Sequence, residues 1–315
     1  MRVTEPYLPP KAEFQTLVGE ILDRNWLTND GPVLKQFEER LSELMDGCEV
    51  VVVANGTMAL QLATRAMGFS GGKVITTAYS HRATLTSLLW EGAEPVFVDV
   101  IRDGFTPDLA QIEAAIDDEV RGMLFTHSDG LACDLDAMQA LADSHGIPVM
   151  YDGAHAFGSI YKGKQLLTYG HTAGCSFHAT KLFHSVEGGA VITRDRDLAE
   201  KLRYMRHFGK DENADQELRT NVKMSELHAA MGWLNLQHFD DTLSTRKRQT
   251  DRYDELLAPL SNQVILPKVN QDLDWNGAYY PILLKDEETC LHVRDALSAQ
   301  GIESRRYFRP ALNFF

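Results

Sequence analysis

The residue with the clearest chemical potential is Lys181, in the segment Cys175-Ser-Phe-His-Ala-Thr-Lys181-Leu-Phe-His-Ser-Val-Glu187-Gly-Gly-Ala190. Apolar and small residues surround it, and Ser176 stands five positions before it. A partly apolar pocket disfavours the charged ammonium, so that the free amine can attack a carbonyl carbon. A lysine that forms a Schiff base needs such an amine. The alternative is an ordinary surface lysine near a turn.

Two further segments place polar groups where a ligand could bind. Gly56 and Thr57 follow the β-branched run 49–54 and open a helix, so free N–H groups and the positive end of the helix dipole can hold an anion there. Many strand-to-helix turns carry this pair without a ligand, and that alternative stays open. Asp152 ends the run 147–152; it either faces a ligand at the end of a strand or caps the next helix.

The elements that must position these residues alternate along the chain with short connections. Apolar, β-branched runs predict strands at 49–54, 73–77, 94–100, 120–126, 147–152 and 190–193. Apolar residues at helical spacing predict helices at 33–46, 58–67, 79–90, 108–117, 135–145 and 195–206. This alternation predicts an α/β fold with an open, mainly parallel sheet, whose ligands bind beyond the carboxyl ends of the strands.

The composition argues against several classes of protein. The chain has 315 residues, a formal net charge of -14 and a pI near 5.2, whereas a nucleic-acid-binding protein presents a basic face. No apolar run reaches the ~20 residues of a membrane span, and the first residues lack the apolar core of a secretory signal. The four cysteines show neither disulfide nor metal spacing. We therefore expect a cytoplasmic protein with no nucleic-acid or membrane partner.

The last quarter of the chain predicts a second, smaller unit. Strands are expected at 264–267, 279–284 and 302–308, with a helix at 287–300. We therefore expect a large domain over 1–240 and a small α+β domain over 241–315. Between the two patterns, a long polar loop at 209–220 precedes a helix that Ser225 caps and that continues to about Leu257. Loops of that length are commonly functional or reach another subunit.

Six short motifs follow one another along the chain: Gly56-Thr-Met-Ala-Leu60, Gly92-Ala-Glu-Pro-Val-Phe-Val-Asp99, Asp152-Gly-Ala-His-Ala156, Ser176-Phe-His-Ala-Thr-Lys181, Glu187-Gly-Gly189 and Asn221-Val-Lys-Met-Ser-Glu226. In this order they resemble the DegT/DnrJ/StrS family of pyridoxal-phosphate-dependent sugar aminotransferases. The resemblance implies the fold of the aspartate aminotransferase class, fold type I. That fold has a large, mainly parallel sheet domain with helices on both faces, and a small C-terminal α+β domain.

The resemblance also implies a role for each matching residue toward pyridoxal 5'-phosphate, which becomes the pyridoxamine form (PMP) during the cycle. Lys181 would form the Schiff base and then carry the proton, and Asp152 would keep the pyridinium nitrogen protonated. The other cofactor-binding positions would be Gly56, Thr57 and Ser176 at the phosphate, His155 near the ring oxygen, His81 at the ring face, and Asn221 reaching the phosphate from the neighbouring subunit. The site would then be complete only in a homodimer.

Three features depart from the family pattern. His81 stands where the family usually has an aromatic ring stacked on the cofactor, although an imidazole can also stack. Lys223 replaces the usual arginine two residues after Asn221, which keeps the charge and loses the bidentate fork. The chain ends at Phe315, earlier than family members usually do, so we expect a piece of the small domain to be missing.

Substrate contacts are expected from two basic residues, Lys223 and Arg306. Arg306 belongs to an arginine group at 305–309 that could meet a diphosphate or carry solvated charge. His127 and Asp129 either line the sugar pocket or belong to a polar turn. No metal site is expected, because the histidines around the lysine segment lack the carboxylate spacing of a ligand set.

The form of the lysine motif resembles family members that aminate C4 of a nucleotide-linked 4-keto-6-deoxyhexose. The expected reaction moves an amino group from L-glutamate to C4 of dTDP-4-keto-6-deoxy-D-glucose, in deoxyamino-sugar biosynthesis for an O-antigen or other polysaccharide. A C3-aminating enzyme is the first alternative. A sugar dehydratase of the same fold is disfavoured, since that branch has histidine in place of Lys181. A non-catalytic regulator that senses sugar or cofactor is disfavoured by the lack of a helix-turn-helix pattern.

Overall fold

The structure is a computed structural model that describes residues 2–102, 105–208 and 218–314. Most of the polar loop predicted at 209–220 lies outside these residues. The strands are β1 (Glu49–Val53), β2 (Lys73–Thr77), β3 (Glu94–Val98), β4 (Val120–Thr126), β5 (Val149–Asp152), β6 (Ile160–Tyr161), β7 (Lys164–Gln165), β8 (Thr172–Ser176), β9 (Gly189–Thr193), β10 (Val264–Ile265), β11 (Leu273–Asp274) and β12 (Leu283–Leu284).

The helices are α1 (Lys11–Arg24), α2 (Pro32–Leu44), α3 (Gly56–Ala66), α4 (Arg82–Trp90), α5 (Leu109–Ala115), α6 (Leu135–His145), α7 (Arg196–Met205), α8 (Glu226–Gln237), α9 (Phe239–Leu257) and α10 (Glu287–Ala299). Ser225 caps α8 as expected, because its hydroxyl accepts from the N–H of His228. The long helical pattern that follows is divided at His238 into α8 and α9.

In the described part of the chain, seven strands form one sheet in the order β1-β9-β8-β5-β4-β2-β3. Neighbours from β8 to β3 pair in parallel, whereas β9 runs antiparallel to both β8 and β1. The run 49–54 was expected to be a parallel strand, but β1 pairs antiparallel with β9, with Val51 opposite Val191. The mainly parallel α/β fold predicted from the alternation of elements is confirmed.

The sheet is buried on both faces, because side chains alternate between two hydrophobic clusters. Val52 of β1 packs in the cluster that contains Phe37 of α2, and Val53 packs in the cluster that contains Leu60 of α3. Successive strand residues point to opposite faces, so helices must cover both sides of a sheet as apolar as β1. The carboxyl ends of the parallel strands are left as the edge where side chains can face a ligand.

The C-terminal part differs from the sequence prediction. The strand expected at 279–284 is reduced to β12, which pairs antiparallel with β10, and the strand expected at 302–308 is wrong. Residues in that range form turns and extended backbone that lead to Leu312, which is 1% exposed and donates its N–H to the oxygen of Ala78. This segment therefore packs beside the end of β2 rather than pairing as a strand. The domain division at residue 240 stays a prediction.

No helix within the described ranges is both long enough and apolar enough to cross a membrane.

Candidate active site

Lys181 lies on the connection between β8 and β9, residues 177–188. Backbone hydrogen bonds fold this connection back on itself: the N–H of Ala179 donates to the oxygen of Val186 at 2.7 Å, and the N–H of Lys181 to that of His178 at 2.9 Å. A chain that folds back in this way continues as an antiparallel strand. The same folded connection therefore makes β9 antiparallel to β8 and places Lys181 at the carboxyl end of β8.

The amine of Lys181 is held in a mostly dry environment. Burial lowers its pKa below the ordinary value for lysine; Asp152, Cys175 and Asp129 oppose this change, and Arg305 adds to it. Desolvation disfavours the ammonium form, so a larger share of the amine is neutral than in a solvated lysine. This direction agrees with the apolar surroundings expected from the sequence.

Asp152 ends β5, and its carboxyl group is 2% exposed in the sheet edge next to Lys181. Its Oδ1 accepts the N–H of Ala154 at 3.0 Å, and its Oδ2 accepts the hydroxyl of Thr84 at 2.6 Å. One oxygen therefore closes the turn that follows β5, while the other is fixed by a side chain of α4. The residues after Asp152 form turns rather than a helix, so the helix-cap alternative is wrong.

Three hydroxyl groups form a chain of hydrogen bonds that ends at Asp152. The Oγ of Ser80 lies 2.6 Å from the Oγ1 of Thr84 and 2.6 Å from that of Thr126. Because the single hydroxyl proton of Thr84 is donated to Asp152, Ser80 must donate to Thr84, and Thr126 must donate to Ser80. All three protons point toward the carboxylate, which fixes the orientation of Asp152 in the interior.

Small residues bring the N-terminus of α3 against the end of β8. A Cβ added to Gly56 would lie 2.7 Å from the Cβ of Ser176, and one added to Gly189 would lie 2.6 Å from the carbonyl carbon of Asn55. Asn55 caps α3 by accepting the N–H of Met58 at 2.9 Å. The helix end and the serine hydroxyl therefore converge, which is the donor arrangement that binds a phosphate group.

Thr57, the second residue of α3, is half-buried at the same helix end. Its backbone lies within the first turn, where N–H groups lack intrahelical acceptors. The structure therefore brings together the three residues that the sequence suggested for an anion site, Gly56, Thr57 and Ser176.

Two imidazoles with lowered pKa values lie within electrostatic range of Lys181. His81 caps α4, with its Nδ1 accepting the N–H of Ala83 at 3.2 Å, and burial followed by the charge of Lys181 lowers its pKa. His155 accepts the N–H of Asp129 on its Nδ1 at 3.1 Å, and burial lowers its pKa well below the ordinary value. In both rings Nδ1 is an acceptor, so a neutral ring carries its proton on Nε2. Each histidine can donate one N–H to a ligand.

Three of the expected residues have side-chain partners outside the group around Lys181 and Asp152. Asn221 is exposed and its side-chain oxygen accepts from the ammonium of Lys223. Arg306 donates to the carboxylate of Glu287 at 2.7 Å. Arg305, which precedes Arg306 in the chain, lowers the pKa of Lys181. It also donates to the hydroxyl of Tyr307 at 3.1 Å.

This geometry coincides with a match to a known family. Residues 10–314 match the model of the DegT/DnrJ/EryC1/StrS aminotransferase family. The chain belongs to this family. It is 35% identical over 316 residues to the dTDP-4-amino-4,6-dideoxy-D-glucose transaminase of Shigella dysenteriae, covering 99% of this chain and 86% of that relative. It is 33% identical over 301 residues to the GDP-perosamine synthase of Caulobacter vibrioides, covering 93% of this chain and 81% of that relative.

Among solved structures, the crystal structure of DesI in the presence of its TDP-sugar product superposes with a TM-score of 0.92. The two chains are 34% identical, and the match covers 99% of this chain and 80% of DesI. The fold is therefore that of the fold type I aminotransferases, as the sequence motifs implied. The protein is therefore an aminotransferase, and the residues described above are the candidates for its active site.

Sequence reasoning missed several residues that surround the candidate site. Tyr279, expected in a strand, packs its ring 4.6 Å from that of His155 and donates its hydroxyl to the oxygen of Thr180 at 3.3 Å. Asn276 is fully buried and donates its amide to the oxygens of His155 and Phe157 at 2.8 and 2.9 Å. The available signals were the Trp-Asn-Gly sequence at 275–277, and the spacing of four residues between the hydroxyls of Ser80 and Thr84.

His127 and Asp129, which the sequence left between sugar pocket and turn, have different environments. His127 stacks on Tyr151 at 4.3 Å, and burial lowers its pKa to about 3, so it is a neutral ring of the interior. Asp129 lies within electrostatic range of Lys181 instead, whose charge lowers the pKa of Asp129 against the larger effect of burial. In the described ranges no group of three or more His, Cys, Asp or Glu side chains is arranged to hold a metal ion.

Proposed function

We propose that the protein is a pyridoxal-phosphate-dependent aminotransferase that moves the amino group of L-glutamate to a nucleotide-linked 4-keto-6-deoxyhexose. The proposed reaction is amination at C4 of dTDP-4-keto-6-deoxy-D-glucose. The observation that carries the proposal is the meeting of three features at one sheet edge: the desolvated amine of Lys181, the buried carboxylate of Asp152 and the α3 N-terminus beside Ser176.

The donor set fits the cofactor. A phosphate group would meet the N-terminus of α3 at Gly56 and Thr57 and the hydroxyl of Ser176. Lys181 would bond to the aldehyde carbon, and Asp152 would accept a hydrogen bond from the protonated ring nitrogen. When bound, the cofactor supplies an electrophilic carbon and a ring that takes up the electron pair of the substrate carbon.

The side chains of the protein would transfer the proton, orient Asp152 and donate a hydrogen bond to the cofactor ring. The free amine of Lys181 would take the proton from the Cα of the amino donor in the first half-reaction and would give a proton to the keto carbon of the sugar in the second. The hydroxyl chain through Thr84 keeps Asp152 oriented as an acceptor. The neutral ring of His81 lies beside Lys181 without adding a positive charge, and the Nε2 proton of His155 is available to a ring oxygen.

We further propose that the active site is shared between two copies of the chain. Asn221 is exposed, Lys223 is half-buried, and a hydrogen bond joins their side chains, so a second subunit could receive both residues at its phosphate and substrate sites. Arg305 is the better candidate for an anionic part of the substrate than Arg306, since Arg306 is already paired with Glu287. The cytoplasmic location stays a prediction.

The choice of C4 is supported by the name of the Shigella relative, a dTDP-4-amino-4,6-dideoxy-D-glucose transaminase, whereas the name of the Caulobacter relative carries GDP. The two names carry different nucleotides, so dTDP is proposed on the more similar relative. A C3-aminating activity would need the keto group at the neighbouring carbon, and it is kept as an outcome of the test.

The test is a reaction of purified protein, cofactor and L-glutamate with nucleotide-linked 3-keto and 4-keto sugars, with products identified by mass spectrometry and NMR. We expect the 4-amino sugar from the 4-keto substrate. A 3-amino product would favour the C3 alternative, and no amine from any sugar would contradict the aminotransferase proposal. Lys181→Ala is expected to be inactive, whereas Lys35→Ala, a change at an exposed residue of α2, should retain activity.

A further inference from the structure

A buried carboxyl group next to the proposed site has no partner for its side chain. Asp129 is 1% exposed, and neither of its carboxylate oxygens has a hydrogen-bond partner among the described residues. Buried polar groups of native proteins are nearly always satisfied, so an exception calls for an explanation. The nearest cation-forming group, His155, does not provide one, because its Nδ1 lies 3.9 Å from Asp129 Oδ1 and already accepts a backbone N–H.

The backbone around this carboxyl group is, in contrast, completely satisfied. The N–H of Asp129 donates to His155, and its oxygen accepts the indole N–H of Trp275 at 2.8 Å. The N–H of Gly130 donates to the oxygen of His127 at 3.0 Å, and its oxygen accepts the hydroxyl of Ser159 at 2.9 Å. Four separate contacts therefore hold this turn in place.

The turn holds an uncommon backbone conformation as well. Asp129 has φ 58 and Gly130 has φ 83, and a Cβ on Gly130 would lie 2.4 Å from the side-chain oxygen of Asn276. A non-glycine residue with positive φ persists when its surroundings over-determine it, and such residues cluster at ligand sites. The scaffold fixes the direction of the carboxyl group and leaves its oxygens without a partner.

The carboxyl group is connected to the Lys181 segment through two rings. Oδ1 of Asp129 lies 3.9 Å from Nδ1 of His155, the His155 ring packs 4.6 Å from that of Tyr279, and Tyr279 donates its hydroxyl to the oxygen of Thr180. The charge of Asp129 also acts on Lys181 and on the hydroxyl groups of Tyr79 and Tyr279, whose pKa values are raised first by burial and also by Asp129. Tyr79 packs edge-on against Phe308 at 5.0 Å. The surroundings of this carboxyl group are thus mostly aromatic, and an apolar lining with few polar groups that fix orientation is typical of a ligand site.

We propose that Asp129 is a specificity-determining residue that binds a hydroxyl group of the sugar ring and thereby fixes the keto carbon in front of Lys181. This inference rests on the proposed function, since it takes the second substrate to be a keto-hexose. A hydroxyl group both donates and accepts. One ring hydroxyl can bind one oxygen of Asp129, and a second ring hydroxyl beside it can bind the other.

The protonation of Asp129 suits this partner better than it suits a cation. Burial raises the pKa of Asp129 to about 7, against the opposing charge of Lys181, so near neutral pH the group can donate as well as accept. The other titratable groups that face it are His155, Tyr79 and Tyr279, and all three are uncharged near neutral pH. An ammonium ligand would require the charged form alone.

The test uses the cofactor-loaded enzyme with Asp129→Gly, which removes the carboxyl group and suits the positive φ, and with Asp129→Asn, which keeps polar atoms and tolerates that conformation. The two half-reactions are followed separately by rapid-mixing absorbance. We expect Asp129→Gly to raise the KM of the keto-sugar roughly 10–100-fold, as for one buried hydrogen bond to a carboxyl group, with the L-glutamate half-reaction within about twofold of wild type. Asp129→Asn should restore most of the loss.

Asp136→Asn is the matched control, because Asp136 is an exposed carboxylate in the first turn of α6 that pairs with Lys162. It should change neither half-reaction. Calorimetry with the amino-sugar product dTDP-4-amino-4,6-dideoxy-D-glucose and with dTDP alone gives a second readout: Asp129→Gly should weaken binding of the former and leave that of dTDP unchanged.

Substrate analogues that lack one ring hydroxyl complete the test. For the analogue missing the hydroxyl that Asp129 binds, Asp129→Gly should cause no further loss. Equal losses in both half-reactions, or unchanged sugar kinetics in Asp129→Gly, would overturn the inference while the proposed function stands. If wild-type enzyme converts no keto-sugar at all, the proposed function fails and takes this inference with it.

Discussion

The hydroxyl of Thr84 donates a hydrogen bond of 2.6 Å to Oδ2 of Asp152, across a sequence distance of 68 residues. Thr84 belongs to α4 and Asp152 ends β5, so two separate elements define the orientation of one carboxylate. Thr84 is fully buried, and its hydroxyl oxygen accepts a hydrogen bond from the hydroxyl of Ser80. The group expected to act on the cofactor nitrogen is therefore positioned by a helix on the far side of the sheet edge.

Replacement of this hydroxyl should lower activity without unfolding the protein. Thr84→Val keeps the shape of the side chain and removes the donor to Asp152, so we expect the rate of the L-glutamate half-reaction to fall about tenfold, as for one hydrogen bond to a charged group. Thr84→Ser, which keeps the hydroxyl, should stay within about threefold by the same reasoning. A rate in Thr84→Val equal to wild type would show that Asp152 needs no orienting partner.

The close contact at Gly56 predicts an effect on cofactor affinity. In Gly56→Ala the new methyl group must displace Ser176, since its Cβ would lie 2.7 Å away, and we expect the affinity for pyridoxal 5'-phosphate to fall about tenfold or more, the range for overpacking. Titration of the apoprotein with the cofactor measures this. Gly19→Ala is the control, because a Cβ at Gly19 meets nothing within 4 Å; its affinity should match wild type.

The buried amine of Lys181 should reduce stability when no cofactor is bound. Its pKa is lowered by burial from the ordinary 10.5, so between the lowered pKa and 10.5 the unfolded chain binds more protons than the folded chain, and stability rises with pH through that interval. Lys181→Met should therefore raise the Tm of the apoprotein by about 2 °C or more at pH 7, with a gain that shrinks toward pH 10.5.

Thermal unfolding at several pH values, with Lys35→Met as the exposed control, tests this prediction. A Tm of Lys181→Met below that of wild type at neutral pH would mean that the lysine stabilises the empty site. Catalytic residues commonly lower the free energy of unfolding in exchange for their chemical role, so a higher Tm for Lys181→Met would be typical of an active site.

The two neighbouring arginines give opposite predictions. Arg305 acts on Lys181, whereas Arg306 is paired with Glu287 at 2.7 Å. We expect Arg305→Gln to raise the KM of the nucleotide sugar about tenfold, as for one charge-assisted hydrogen bond. Arg306→Gln should change it less than about twofold, since exposed pairs contribute little. The reverse order in steady-state kinetics would restore Arg306 as the substrate residue expected from the sequence.

Much of the site was predictable because strand ends are visible in the sequence. The β-branched runs before Gly56 and Asp152 mark where the chain leaves the sheet, and carboxyl ends of parallel strands meet at one edge. The segment around Lys181 needed only its apolar neighbours to indicate a desolvated amine. Local pattern left an alternative open at each of these residues, and their roles came from the resemblance to the family; the structure brings Gly56 and Ser176 into contact and places Asp152 and Lys181 within electrostatic range.

The rest of the site depends on tertiary placement that no local pattern carries. Asn276 and Tyr279 lie in a loop more than 120 residues beyond His155 in the chain, at hydrogen-bond and ring distances that only the folded chain sets. The apolar residues at 302–308 indicated a strand, but they pack on the large sheet edge through contacts such as that of Phe308 with Tyr79. Alternating apolar residues cannot distinguish packing of this kind from strand pairing.

The account depends most directly on a covalent link between Lys181 and the cofactor. Wild-type protein loaded with pyridoxal 5'-phosphate should be treated with sodium borohydride, digested and analysed by peptide mass spectrometry. We predict that the pyridoxyl group is recovered on the peptide that contains Lys181, and that Lys181→Ala yields no labelled peptide at that position. Recovery of an unmodified Lys181, with the label absent or on another lysine, would contradict the account.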